Sequence, residues 1–236
     1  MPGTLWLLPV ALGDAPWEDF LPPATRAAAC RLTYFVAENA KTARAELKRI
    51  GHPVPLRELM IEQLPENPSA SDVQRLALPL LAGHDIGLMS EAGCPAVADP
   101  GALLTRHAHE LGITVKPLVG PSSLLLALMG SGLDGQHFAF HGYLPAREPD
   151  RSARIVELEK ESANKRQTQI FIETPYRNTA LFAALLASAR PQTRLCLATD
   201  LTLREEYIRT YRIHEWKAAP APKIDKRPTV FLFLAD

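Results

Sequence analysis

The chain is short of the residues that announce several common kinds of site. Its three cysteines, Cys30, Cys94 and Cys196, are spread over 236 residues and no two form a CxxC pair. That argues against a zinc site and a disulfide framework. Neither sign of charge is in excess, with 26 Lys and Arg against 26 Asp and Glu. No global basic field marks a nucleic-acid binder, so any contact with a polyanion has to come from a local patch. No apolar run reaches the length of a bilayer span. The apolar start, MPGTLWLLPVALGD, has no basic segment before it and acids after it. It reads as a core strand rather than a signal peptide, and the expected compartment is the reducing cytoplasm. GxGxxG and GxxxxGK[ST] are both missing, which removes the usual dinucleotide and P-loop readings. His107 and His109 are two apart, so a helix turns them to different faces, and no metal is expected.

What is present is a globular composition, 47% hydrophobic and 22% charged, sufficient for one large α/β domain or two small ones. Short apolar runs alternate with helical patterns. Strands are predicted at Thr4–Leu12, Leu32–Glu38, Met60–Leu64, Asp85–Ser90 and Ile113–Val119. Helices are predicted over 17–31, 40–50, 69–82, 103–111 and 122–131. Alternation of this kind implies a parallel sheet. After residue 131 the pattern changes. HFAFHGYL, QIFIET, RLCLATDL, EYIRTYRI and RPTVFLFLAD read as strands of a mixed sheet, with the last two expected to pair antiparallel. The boundary is placed near Val119, giving an N-terminal α/β domain over 1–119 and a C-terminal one over 120–236.

One stretch, DIGLMSEAGCPAVADPG, leaves a buried strand and spends ten residues on Ala, Gly, Pro, Cys and carboxylates. Small residues let backbone approach a ligand. Asp99-Pro100 has the wording of an N-cap followed by Pro at the first helical position. PVALGD, VGPSS and ETPYR are similar loops at predicted strand ends, and in an open parallel sheet ligands sit beyond the carboxyl ends of the strands. The GPSS loop also puts free amides and two hydroxyls at a helix start, a seat for an anion. Any one of these loops alone is an ordinary strand-to-helix turn; several together indicate a pocket.

SEAGCPAVADPG resembles the SDAGTPGISDPG motif of the tetrapyrrole methylase family. Other segments follow in that family's order. VAENAKTARAELKRIG is similar to its AEDTR helix entry, VGPSSLLLALMGSGLDGQHFAFHGYLP to its GPSA helix and GFLP strand, FIETPYRN to its ESPHR loop, and LATDLTLREEYIR to its ARELTKxxEE segment. The resemblance covers nearly the whole chain. It implies an α/β fold of two αβα domains with a cofactor cleft between them, a homodimer, and S-adenosylmethionine as cofactor. Carried over position by position, the cofactor would touch Pro9, Leu12, Glu91, Ala92, Gly93, Cys94, Ser122 and Ser123. From the second half it would touch Glu173, Thr174, Pro175 and Ala198. The chain departs from the family pattern at Glu91 for Asp, Cys94 for Thr, Ala96 for Gly, Ala98 for Ser and Asn39 for Asp.

The implied reaction is methyl transfer to a ribose 2′-hydroxyl of small-subunit ribosomal RNA, with Glu38 and Glu91 as candidate catalytic bases. Glu38 reads equally well as a strand-end acid, and Glu91 as a cofactor contact. Arg147 and Arg151, after the GYLP strand, are the candidate RNA contacts. A methyltransferase for a tetrapyrrole or other small molecule, and a cofactor-binding protein without catalysis, are the alternatives.

Overall fold

The computed structural model describes residues 1–235. The chain divides into two compact units, the first Met1–Ser122, the second beginning at Ser123.

The first unit carries five strands: β1 (Thr4–Leu8), β2 (Tyr34–Ala37), β3 (Met60–Gln63), β4 (Ile86–Met89) and β5 (Thr114–Pro117). All pair parallel, in the order β3-β2-β4-β1-β5. Helices α1 (Pro23–Ala29) and α2 (Ala40–Arg49) pack on one face, and α3 (Ala70–Leu81) and α4 (Gly101–Glu110) on the other. Strand alternation sorts the core. Val36, Ile86 and Leu88 meet Leu76, Leu80 and Leu104, while Phe35, Ala37 and Met89 meet Ala43, Leu47 and Ile50. The chain winds outward from β1 to β3 and then returns to β4, so the strand order reverses at β1, β2 and β4, the place in an open parallel sheet where ligands bind beyond the carboxyl ends.

The helix expected over 17–31 is split. A single 3-10 turn spans Trp17–Asp19 and α1 starts only at Pro23. Pro23 disfavours helical backbone at Pro22 but suits the first helical position itself. Likewise β1 stops at Leu8, because Pro9 has no N–H for a strand ladder.

The second unit carries β6 (Phe138–Tyr143), β7 (Thr168–Ile172), β8 (Arg194–Thr199), β9 (Tyr207–Arg212) and β10 (Thr229–Leu234). The order is β6-β7-β10-β8-β9, with only β6 and β7 parallel. Helices α6 (Asp150–Lys165), α7 (Asn178–Ser188) and α8 (Ile213–Ala218) share a core with Phe171, Leu195, Phe231 and Phe233. Helix α5 (Ser123–Ser131) lies against β8, β9 and β10. The expected pairing of the last two strands is not found: β10 enters between β7 and β8, leaving β9 at the edge. Burial explains it. TVFLFL is apolar on both sides and is buried nearly throughout, whereas YIRTYR alternates and remains half-exposed. Helix α8, with six residues, is too short to show a period and has no counterpart in the sequence reading.

Candidate active site

Four strand ends of the first unit bring the small-residue loops to one edge. Pro9 to Gly13 follow β1, Glu38 follows β2, Ser90 to Pro100 follow β4, and Leu118 to Ser122 follow β5. Backbone hydrogen bonds join these loops. Val10 N–H donates to the Gly93 carbonyl at 2.9 Å, and Gly93 N–H donates back at 3.2 Å. Cys94 Sγ donates to the Pro121 carbonyl at 3.3 Å. A Cβ on Gly120 would lie 2.4 Å from Pro9 Cβ, so only glycine allows the first and third loops to meet.

The central loop needs unusual backbone. Gly93 has φ +71°, which glycine adopts without penalty. Ala96 (φ 66°) and Ala98 (φ 61°) hold the same left-handed region with a Cβ, at a cost of roughly 1–2 kcal/mol each. Asp99 Oδ1 braces them, accepting the N–H of Ala96 at 3.0 Å and that of Gly101, the first residue of α4, at 2.6 Å. The N-cap of α4 is Pro100, not Asp99 as the sequence wording suggests; Asp99 stands one residue further out and reaches the helix start through the Gly101 N–H.

Three carboxylates gather beside this loop. Glu38 Oε1 accepts the Glu91 N–H at 3.1 Å. Burial raises the Glu38 pKa, and the charges of Asp99 and Glu91 add to that. Burial also raises Asp99, against the pull of its backbone hydrogen bonds. Asp99 Oδ2 is buried with no partner among the described residues. Glu91 and Ala92 are exposed, Gly93 is buried, and Leu12, Cys94, Ser122 and Ser123 are half-buried. Burial pushes the Cys94 thiol up, which keeps it protonated and argues against a nucleophile.

Two residues absent from the sequence reading hold the first loop. Glu46 Oε2 accepts the Ala11 N–H at 3.5 Å. Arg49 donates to the carbonyls of Gly13 at 2.6 Å and Ala15 at 3.3 Å, and pairs with Asp14 at 3.1 Å. Both lie on α2, and only their spacing of three on a helix beginning beside Glu38 hinted at a shared role.

In the second unit, Glu173, Thr174 and Pro175 follow β7. The Glu173 side chain is fully buried, and its Oε1 accepts the Thr174 N–H at 2.6 Å and the Arg177 guanidinium at 2.7 Å. The other oxygen, Oε2, has no partner among the described residues. The Pro175 carbonyl accepts the Lys226 N–H at 3.1 Å, and Asn178 Nδ2 donates to the carbonyls of Ile224 and Arg227. These bonds moor the loop to the turn before β10. Ala198 is buried on β8, aligned with Val230 on one side and Ile208 on the other. Arg147 is exposed. Arg151 is buried, its Nε donating to Glu148 at 2.9 Å, so its guanidinium fixes the entry to α6 instead of facing solvent as a phosphate contact would.

Among the described residues no group of three or more His, Cys, Asp or Glu could hold a metal ion. No helix among them is long and apolar enough to cross a membrane.

Two solved structures share the fold. The methyltransferase CobJ superposes with a TM-score of 0.66 at 16% identity, over 100% of this chain and 95% of CobJ. Uroporphyrin-III-C-methyltransferase from Thermus thermophilus gives 0.53 at 18%, over 99% of this chain and 93% of that one. Sequence relatives are nearer. Ribosomal RNA small subunit methyltransferase I of Pseudomonas aeruginosa is 30% identical over 92% of this chain and 74% of its own length. The enzyme of that name from Xylella fastidiosa strain Temecula1 is 35% identical over 75% of this chain and 60% of its own. The Micromonospora olivasterospora enzyme is 31% identical over 92% and 65%. The chain thus spans roughly two thirds of these relatives. The model of the Tetrapyrrole (Corrin/Porphyrin) Methylases matches residues 24–216, and the chain belongs to that family of methyltransferases.

Proposed function

We propose that this methyltransferase moves the methyl group of S-adenosylmethionine to a ribose 2′-hydroxyl of small-subunit ribosomal RNA. The observation that carries the reading is the 30% identity, over 92% of the chain, to an enzyme named for small-subunit ribosomal RNA. Because the curated relatives are longer, the acceptor is part of the proposal.

The first unit's carboxyl edge fits the cofactor. Gly93 and Gly120 stand where a Cβ would crowd Leu12 and Pro9, so the joined loops can form a close backbone cradle for a flat ligand. Glu38, Glu91 and Asp99 give that edge a negative potential, which suits a cation. S-adenosylmethionine supplies a methyl group on a positively charged sulfonium, and the protein's part is to position and to exclude water. In this reading Pro9, Leu12, Ala92, Gly93 and Cys94 contact the cofactor, Glu91 accepts from its hydroxyls, and Ser122 and Ser123 meet its carboxylate near the start of α5. Glu173, Thr174, Pro175 and Ala198 of the second unit are assigned to the cofactor on the family resemblance alone.

Glu38 is the group we assign to take the proton of the acceptor hydroxyl. Its raised pKa makes it a stronger base than an ordinary carboxylate. Exposed Arg147 serves the RNA, and Arg151 positions that segment through Glu148. A homodimer in a cytoplasmic setting belongs to the same reading.

The test is methyl incorporation from labelled cofactor into small-subunit particles, free ribosomal RNA and a uroporphyrinogen-type acceptor, followed by nucleoside analysis. Label in a 2′-O-methylated nucleoside is expected. Efficient methylation of the porphyrinogen with none of RNA would overturn the proposal.

A further inference from the structure

The second unit contains a hollow of about 520 Å³ that the methyl-transfer reading leaves unused. Its wall is the edge strand β9. Side chains alternate along a strand. Ile208 and Thr210 face α5, where Ile208 Cδ1 would stand 2.7 Å from a Cβ on Gly130, and Thr210 Oγ1 donates to the Ser131 carbonyl at 2.6 Å. Tyr207, Arg209 and Tyr211 therefore share the opposite face, which lines the hollow. Trp216 of α8 fixes that wall. Its ring meets Tyr211 edge-on at 4.9 Å, and its indole N–H donates to the Leu195 carbonyl at 2.8 Å.

The charged groups divide into two sorts. Arg227 is fully engaged, donating to Asp200 at 2.6 Å and to the carbonyls of Lys223 and Glu205 at 2.6 and 2.8 Å. Glu206 accepts the Thr202 N–H at 2.8 Å, and Glu205 is exposed, so two carboxylates share the lining with the cations. Arg209 lies over the Tyr211 ring, 5.6 Å from its centroid, and is exposed, as is Lys223. Neither forms an ion pair among the described residues. So the Tyr207 ring, a planar guanidinium stacked on Tyr211 and a second cation line a recess beside the edge strand. Aromatic faces stack bases irrespective of sequence, and Arg or Lys beside them neutralises the backbone. A protein strand adding to the β9 edge would use main-chain groups instead and leave the recess empty.

We infer that this hollow seats one unpaired nucleotide of the RNA acceptor, its base on the Tyr207 ring and its flanking phosphates at Arg209 and Lys223. The inference rests on the RNA reading above and adds a foothold separate from Arg147.

The test uses the full chain and a short fluorescein-labelled single-stranded oligoribonucleotide. Tyr207→Ala is expected to weaken RNA binding about tenfold, the worth of a base–aromatic stack, and Tyr207→Phe to retain it. Arg209→Ala with Lys223→Ala is expected to lower the salt slope by about 0.7 for each lost phosphate contact. S-adenosylhomocysteine affinity should not change in any of them. In the unaltered protein, 4-thiouridine RNA should crosslink within residues 205–223. If the unaltered protein binds RNA but the variants bind equally well, or crosslinks fall only outside 205–223, the hollow is rejected and the RNA reading stands. Normal S-adenosylhomocysteine binding with no RNA binding by the unaltered protein rejects both.

Discussion

Val10 and Gly93 exchange both of their backbone hydrogen bonds, at 2.9 and 3.2 Å, although they lie on loops that follow different strands. This reciprocal pair makes the loops after β1 and β4 a single piece of backbone. A side chain at residue 93 would have to leave that piece, with its Cβ 3.2 Å from Leu12 Cδ2 and 3.6 Å from the Pro121 carbonyl.

Gly93→Arg is therefore expected to abolish cofactor binding. At about a hundred times its dissociation constant, S-adenosylhomocysteine should stabilise the unaltered protein by about 2.7 kcal/mol. The variant should show no thermal shift and no calorimetric heat. A normal shift would exclude this loop from the site.

Ala96→Gly should stabilise the first unit. The left-handed strain at φ 66° is relieved, offset in part by glycine's greater freedom when unfolded, for a net gain of about 0.5–1 kcal/mol. Urea unfolding should show a higher midpoint at unchanged slope. A lower midpoint would mean that the Ala96 Cβ makes contacts worth more than its strain.

Glu38→Gln should trade stability against activity. The folded pKa of Glu38 is raised, chiefly by burial. Its ionised form therefore destabilises the fold above that pKa, and no such penalty exists at a pH below the unfolded carboxylate's pKa. The glutamine variant should gain stability relative to the unaltered protein as pH rises through the window between the two, with no difference in acid. Turnover should fall about 10²–10⁴-fold, the typical contribution of a general base, with S-adenosylhomocysteine affinity kept. Full turnover would remove Glu38 as the base.

Cys94→Thr should keep both cofactor binding and turnover, because the thiol is held protonated by burial and its visible task is one bond to the Pro121 carbonyl. A threonine hydroxyl can donate that bond. Loss of turnover with binding intact would point to covalent chemistry at sulfur.

Arg49→Met should weaken cofactor binding without touching the cofactor. Arg49 ties the carbonyls of Gly13 and Ala15 to α2. Met keeps most of the apolar stem but has no donors. Calorimetry with S-adenosylhomocysteine should show a higher dissociation constant, and an unchanged one would show that the first loop holds its shape without this brace.

The parts of the candidate site that were legible in the sequence are those written in backbone terms. Gly93, Gly101 and Gly120 are small because neighbours leave no room, and smallness shows in a sequence. The braces were not readable. Glu46 and Arg49 look like any charged pair on an amphipathic helix, and only the fold shows that they face the first loop. Arg151 misled in the opposite way, since a string of arginines after a strand looks like a cationic rim, yet its guanidinium is buried against Glu148. In the fold, element types were legible from periodicity. The neighbour of β10 was not, because a short connection suggested a hairpin while the uninterrupted apolar run TVFLFL required cover on both faces. The Pro22-Pro23 pair carried a helix start that a broad helical window hid.

The central place of β10 also sets an order of events during synthesis. The first unit draws all its strands from residues 4–117, so a ribosome can release it complete while the rest is being made. In the second unit, β7 and β8 have no bond to each other and wait for Thr229–Leu234 to enter between them. Until residue 234 leaves the exit tunnel, both present unpaired strand edges, the kind of surface that promotes misassembly during folding. Nascent chains stalled before residue 229 should therefore resist protease across the first sheet and be cut readily after Ser122.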